Sequence, residues 1–207
     1  AFEKFLGAKD QLSTQMRSVG EVMSIGRTFK ESLQKAICSQ EFANGFEEVE
    51  YKKDQLSYPS SRRLYQIGQA FREGETLEEV ERLTLINTWF LQQVRDIINS
   101  EEVIKEKGLD RDRLLKAKRD GFSDARLAHL TGQTEKEIRE LRHQHEITPA
   151  YLQVDTCAGE FASETPYLYS TYWGMPQQLP QNNKRIAIIG SGPNRIGQGI
   201  EFDYCCV

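Results

Sequence analysis

Asn87-Thr88-Trp89-Phe90-Leu91-Gln92-Gln93-Val94-Arg95-Asp96-Ile97-Ile98-Asn99-Ser100-Glu101-Glu102-Val103-Ile104-Lys105-Glu106-Lys107-Gly108 reads as one long amphipathic helix. Phe90, Val94, Ile97, Ile98 and Ile104 fall near a single stripe at 3.6-residue spacing, and Gly108 supplies the stop. The punctuation on either side is also helical. Thr28-x-x-Glu31, Thr76-x-x-Glu79 and Thr134-x-x-Glu137 each set an N-cap hydroxyl three residues before a glutamate, a spacing that satisfies donors left open at a helix start. Gly74, Gly121 and Gly132 close further helices. The segment from about Glu31 to Tyr172 is therefore expected to be a compact all-α domain of short helices and short turns, with an irregular stretch from Ala43 to Ser60.

Beyond that domain the pattern changes. Trp173-Gly174-Met175-Pro176-Gln177-Gln178-Leu179-Pro180-Gln181-Asn182-Asn183 is rich in Pro, Gln and Asn and has no periodicity, which marks a linker. Lys184-Arg185-Ile186-Ala187-Ile188-Ile189-Gly190 then reads as a buried parallel strand running into a Gly-rich turn. A helix start follows, and the sequence reaches Val207 with no partner strand for the first. The expectation is a truncated βα unit of a larger protein, with residues after about Gln181 disordered or paired with another molecule.

Composition narrows the function classes. In 207 residues, 38% hydrophobic and 28% charged side chains, with a mean hydropathy of −0.60, describe a soluble globular chain without a membrane span. A net charge of −4 argues against a nucleic-acid footprint. The cysteines, Cys38, Cys157, Cys205 and Cys206, lack C-x-x-C spacing and point to buried free thiols in a reducing cytoplasm.

Four constellations could carry chemistry. The turn from Gly190 to Gly199 could approach a phosphate, but Arg195 stands where the dinucleotide fingerprint needs its third glycine, and no P-loop Gly-Lys-Ser/Thr is present. A tight structural turn is the plainer reading. Residues Gly121 to Ile147, with helices expected at Asp124 to Leu130 and Glu135 to His145, have the outline of a helix-turn-helix regulator. Glu135, Glu137 and Glu140 would nonetheless repel DNA phosphates from the second helix. His143 and His145, two apart on a helix, project about 200° apart and cannot share a metal. Asp155-Thr156-Cys157-Ala158-Gly159-Glu160 sets a thiol between carboxylates, which weakens it as a nucleophile and favours a packing role.

Read together, Gln15-Met16-Arg17-Ser18-Val19-Gly20-Glu21-Val22-Met23-Ser24-Ile25-Gly26-Arg27, Val154 to Phe161, Tyr169-Ser170-Thr171-Tyr172 and Gly192-Pro193-Asn194-Arg195-Ile196-Gly197-Gln198-Gly199-Ile200-Glu201-Phe202-Asp203-Tyr204-Cys205-Cys206 resemble successive signatures of the large chain of carbamoyl-phosphate synthetase. The resemblance implies that residues 1–28 end a first, carboxyphosphate-forming ATP-grasp half and that 29–172 form a helical oligomerisation domain. Residues 173–183 would be a linker and 184–207 the start of a second half. It further implies an ATP-dependent carbon–nitrogen ligase of the cytoplasm using bicarbonate, ATP with Mg²⁺ (or Mn²⁺), and ammonia from a glutaminase small chain. The product would serve arginine and pyrimidine synthesis. The nucleotide and metal sites would lie in the ATP-grasp lobes and none in this chain. What the resemblance places here is a loop lining the carbamate passage, with Asn194, Arg195 and Gly199. Self-association is expected of the helical domain, with Leu64, Tyr65, Ile67, Phe71, Trp89 and Phe90 as its large apolar residues.

Overall fold

In the computed structural model, which describes residues 7–14, 21–40, 44–163, 167–175 and 195–196, the expected long helix is α4, Thr88–Lys107. The Asn87 side chain accepts the Trp89 N–H at 2.9 Å, and Gly108, at φ 66°, ends the helix. Around it stand α1 (Phe29–Ser39), α2 (Arg63–Arg72), α3 (Leu77–Thr84), α5 (Arg111–Arg119), α6 (Asp124–Thr131) and α7 (Glu135–Gln144). Helix α4 touches α1, α2, α3 and α6, and α6 packs on α7, so the protein is mainly α and one helix runs through its middle. Leu91, Val94, Ile97, Ile98 and Ile104 form the buried face of α4. Phe90 departs from the expectation: it shares their azimuth, but it sits in the first turn, where only the start of α1 reaches it through Phe29, and it stays 45% exposed.

Thr28, Thr76 and Thr134 are all N-caps, each accepting the backbone N–H three residues on. The reciprocal bond forms at α7, where Glu137 accepts the Thr134 N–H at 2.7 Å. At α1 the Glu31 carboxylate instead accepts the Arg27 N–H and pairs with Lys35, and at α3 Glu79 turns to Arg82 and Lys53. A stronger cationic partner within reach displaces the local bond.

The irregular stretch before α2 is part of the core. Phe46 and Leu56, the latter in a short 3-10 turn at Lys53–Ser57, are fully buried. Gly68 makes room for Phe46, since a Cβ there would lie 2.8 Å from the Phe46 ring. Buried beside them is Glu101, which accepts two hydrogen bonds from Arg126, both at 2.8 Å, and one from Arg72 at 2.6 Å. Both guanidinium groups also donate to the Phe46 carbonyl, so the loop, α2, α4 and α6 share one charged knot. A buried carboxylate is tolerable only with such pairing.

The all-α expectation needs correction after α7. Ala150–Gln153 (β2) and Leu168–Thr171 (β3) form an antiparallel pair with Ala150 opposite Thr171 and Gln153 opposite Leu168. Ala150 is buried and Tyr151 exposed at the start of β2, while Leu152 and Gln153 are both half-buried. Lys35 holds this pair to the bundle, donating to the Ser170 carbonyl. Trp173, assigned from sequence to the head of the linker, is fixed to α5: its indole N–H donates to the Arg119 carbonyl at 3.0 Å, and the Arg119 guanidinium lies 4.7 Å from the ring centre.

The strand expected at 184–190 lies outside the described residues. Arg195–Ile196 (β4) pairs antiparallel with Glu21–Val22 (β1), so at these two positions the chain is in a strand rather than a turn. Their partner is the same chain, which replaces the expectation of disorder or of pairing with another molecule there.

Candidate functional site

The chemistry-bearing residues are dispersed. His129 and His143 are exposed and His145 half-buried, and among the described residues no three His, Cys, Asp or Glu side chains are placed to hold a metal ion. Cys38 and Cys157 are free thiols, half-buried rather than buried as expected. Burial raises the Cys38 pKa despite a hydrogen bond with Ser123 and the charge of Lys118, which keeps it a thiol. Cys157 is half-buried in a loop whose neighbouring residues are exposed, and its backbone N–H donates to the Asp155 carboxylate at 2.9 Å. Of the passage residues, Asn194 and Gly199 lie outside the described residues, and Arg195 is described only as part of β4.

Helices α6 and α7 match the expected helix-turn-helix outline closely. Glu135, Glu137 and Glu140 are exposed along α7, and its inner face is used for packing through Ile138. Between the two helices Asp124 is clamped, accepting from Lys118 at 2.7 Å and from Arg142 at 2.9 Å. The Tyr172 ring lies 5.1 Å from the Lys118 amine and 5.8 Å from the Arg142 guanidinium, and so ties the strand pair to this corner.

Two surface features remain. A cleft of about 390 Å³ between α1, α4 and α5 is lined by Lys30, Asp96, Ser100, Arg113 and Lys116 among others. Its cations are already engaged. Lys30 and Lys116 share Asp120 at 3.1 and 2.8 Å, and Arg113 donates to the Gly108 carbonyl at 2.9 Å. The other feature is apolar. Ile67 and Phe71 belong to the core and Leu64 and Tyr65 pack partly against it, whereas Trp89 and Phe90 are 53% and 45% exposed. Phe29 meets both rings edge-on at 5.4 Å, and they meet each other at 5.0 Å. Sequence reasoning missed Phe29 in this group, because its neighbours come from a helix 60 residues away.

The described residues thus form a fold of the helical-bundle class with a preorganised aromatic end at Phe29, Trp89 and Phe90. The comparisons make the class particular. Residues 21–146 match the family model of the carbamoyl-phosphate synthetase large chain, oligomerisation domain, and residues 182–207 match the carbamoyl phosphate synthase preATP-grasp domain. The chain is 51% identical to the carbamoyl phosphate synthase large chain of Pseudomonas aeruginosa over 220 aligned residues. It is 50% identical to that of Methanobrevibacter smithii and 48% to that of Vibrio vulnificus. All of this chain and 20% of each relative are covered, so it spans about a fifth of their length. The chain belongs to the carbamoyl-phosphate synthetase large-chain family.

Proposed function

We propose that this chain is the oligomerisation segment of a carbamoyl-phosphate synthase large chain, lying between two synthetase halves. The observation that carries the reading is the order of the two family matches, an oligomerisation domain followed by the opening of a pre-ATP-grasp domain. In the whole protein an ATP-dependent, glutamine-hydrolysing carbon–nitrogen ligase would join bicarbonate and ammonia with Mg-ATP (or Mn-ATP), in the cytoplasm, for arginine and pyrimidine synthesis. A glutaminase small chain would supply the ammonia. Residues 1–28 would close the first half and 184–207 open the second, with Asn194, Arg195 and Gly199 lining the path of carbamate between them. A small residue and a fixed cation suit a narrow passage for an anion.

The segment's own role is scaffold and self-association. Phosphoryl transfer needs a phosphate cradle and metal ligands in one cleft. The purified chain is therefore expected to show no ATP hydrolysis or carbamoyl phosphate formation with bicarbonate, ammonia and Mg-ATP. Turnover above a heat-killed control would overturn this assignment.

A further inference from the structure

Lys35, midway along α1, sets its ammonium between two stretches of backbone that lie far apart in the sequence. It donates to the Ile25 carbonyl at 2.9 Å and to the carbonyl of Ser170 in β3, 135 residues from itself. Glu31, one turn earlier on the same helix, faces it at 3.0 Å, in the order along the helix that favours a carboxylate–ammonium pair. The centre of the Tyr169 ring lies 6.0 Å from the same nitrogen. An ammonium has three N–H donors and no acceptor, so two carbonyls and one carboxylate are as many close partners as it takes.

Each of these partners is seated on a different part of the bundle. Glu31 is buried, its Oε2 accepts the Arg27 N–H at 2.7 Å, and its Oε1 is paired with Lys35. Residues 24–27 lie flush on the first turn of α1: a Cβ on Gly26 would stand 2.8 Å from the Ser32 nitrogen and 3.0 Å from the Glu31 Cβ. The Ser24 hydroxyl donates to the Ser32 carbonyl at 2.6 Å in the same place. On the other side Tyr172 and Trp173 hold the strand pair against α5 and α7. Lys35 therefore bridges a segment seated on α1 and a strand pair seated on α5 and α7.

The bridge makes the two seats depend on one another. The Lys35 side chain is 28% exposed, and its hydrogen bonds gain strength from the water its neighbours exclude. If residues 24–27 lift, water reaches the ammonium, competes for its donors and screens its charge, and the bond to Ser170 weakens. If β3 lifts, the bond to Ile25 weakens in the same way. We propose that Lys35 is a clasp through which residues 24–27, the segment that precedes α1, and β3 open together, so that a displacement of either is carried to the other.

The test is hydrogen exchange, read by mass spectrometry on peptides of the full-length protein. Gly26→Ala pushes the segment before α1 off the helix, and Trp173→Phe removes the indole N–H that fixes the end of the strand pair to Arg119. In the parent background Gly26→Ala should speed exchange at residues 168–171, and Trp173→Phe at residues 24–27, each by about fivefold or more, because coupling between two sites is reciprocal. Lys35→Met keeps the aliphatic stem and removes the ammonium. In that background both remote effects should vanish while each substitution still loosens its own segment. A merely structural role would raise exchange in both segments without abolishing the link between them. Remote silence in the parent background would overturn the clasp. Remote effects that persist with Lys35→Met would overturn it too, since the coupling would then run through α1 itself. Peptides of α4 report the integrity of the bundle, and if Lys35→Met speeds their exchange, Lys35→Gln is read in its place against the same two outcomes.

Discussion

Gly68 and Phe46 show how one small residue holds a core together. Helix α2 passes so close to the Phe46 ring that an added methyl would need to occupy a position 2.8 Å from a ring carbon. The ring cannot retreat, because it is fully buried and its carbonyl is held by Arg72 and Arg126. Gly68→Ala should therefore destabilise the fold by about 1–3 kcal/mol through overpacking, although alanine is the better helix former by roughly 1 kcal/mol. Urea unfolding followed by circular dichroism reads this directly. An unchanged or raised midpoint would mean that helix propensity wins and that the ring can move.

Among the elements, α6 and α7 depend most on their ends. Thr134 and Glu137 cap α7 reciprocally at an exposed site, and Thr134→Ala is expected to cost about 1 kcal/mol in the same unfolding measurement. The packing of α7 on α6 rests on Asp124. Burial by itself would raise the pKa of this carboxyl, but the hydrogen bonds and charges of Arg142 and Lys118 outweigh burial and hold it below its ordinary value of 3.8. The folded chain thus binds this proton less tightly than the unfolded chain does. The pairing adds stability that is fully present above about pH 5 and drains away as the pH falls through the lowered value. Asp124→Asn should lower stability at pH 7 by about 3 kcal/mol, because two buried cations lose their anion, and should flatten the acid limb of the stability curve. A variant whose pH profile below 5 parallels the parent would show that other carboxylates set that limb.

At the scale of the whole molecule, the described residues form a helical bundle arranged around α4. Self-association is the expected behaviour of a segment matched by an oligomerisation family model. Closed two-fold pairing is the default for identical chains. Separated from the lobes that flank it, the segment should form a dimer of micromolar affinity, about −8 kcal/mol. Sedimentation velocity across a hundredfold concentration range measures it. A single monomeric species up to several hundred micromolar would withdraw the oligomerising role from this domain.

By itself the sequence determined where helices start and stop, since caps and C-terminal glycines act within a few residues: Thr28, Thr76, Thr134, Gly108 and Gly132 all stand at helix ends. Its motifs also determined the family. It placed Phe90 on the correct side of α4 but not in the open, because periodicity sets an angle around the helix axis and says nothing of how far the neighbours extend along it. The β2–β3 pair escaped notice because four-residue strands carry little pattern and are stabilised by the surface they lie on. Only the tertiary structure decided that Phe46 and Leu56 are core and that Glu101 is shared by Arg72 and Arg126. It alone decided that Phe29 joins Trp89 and Phe90, because each of these contacts brings together groups about 25 to 60 residues apart, whose meeting depends on how whole helices pack.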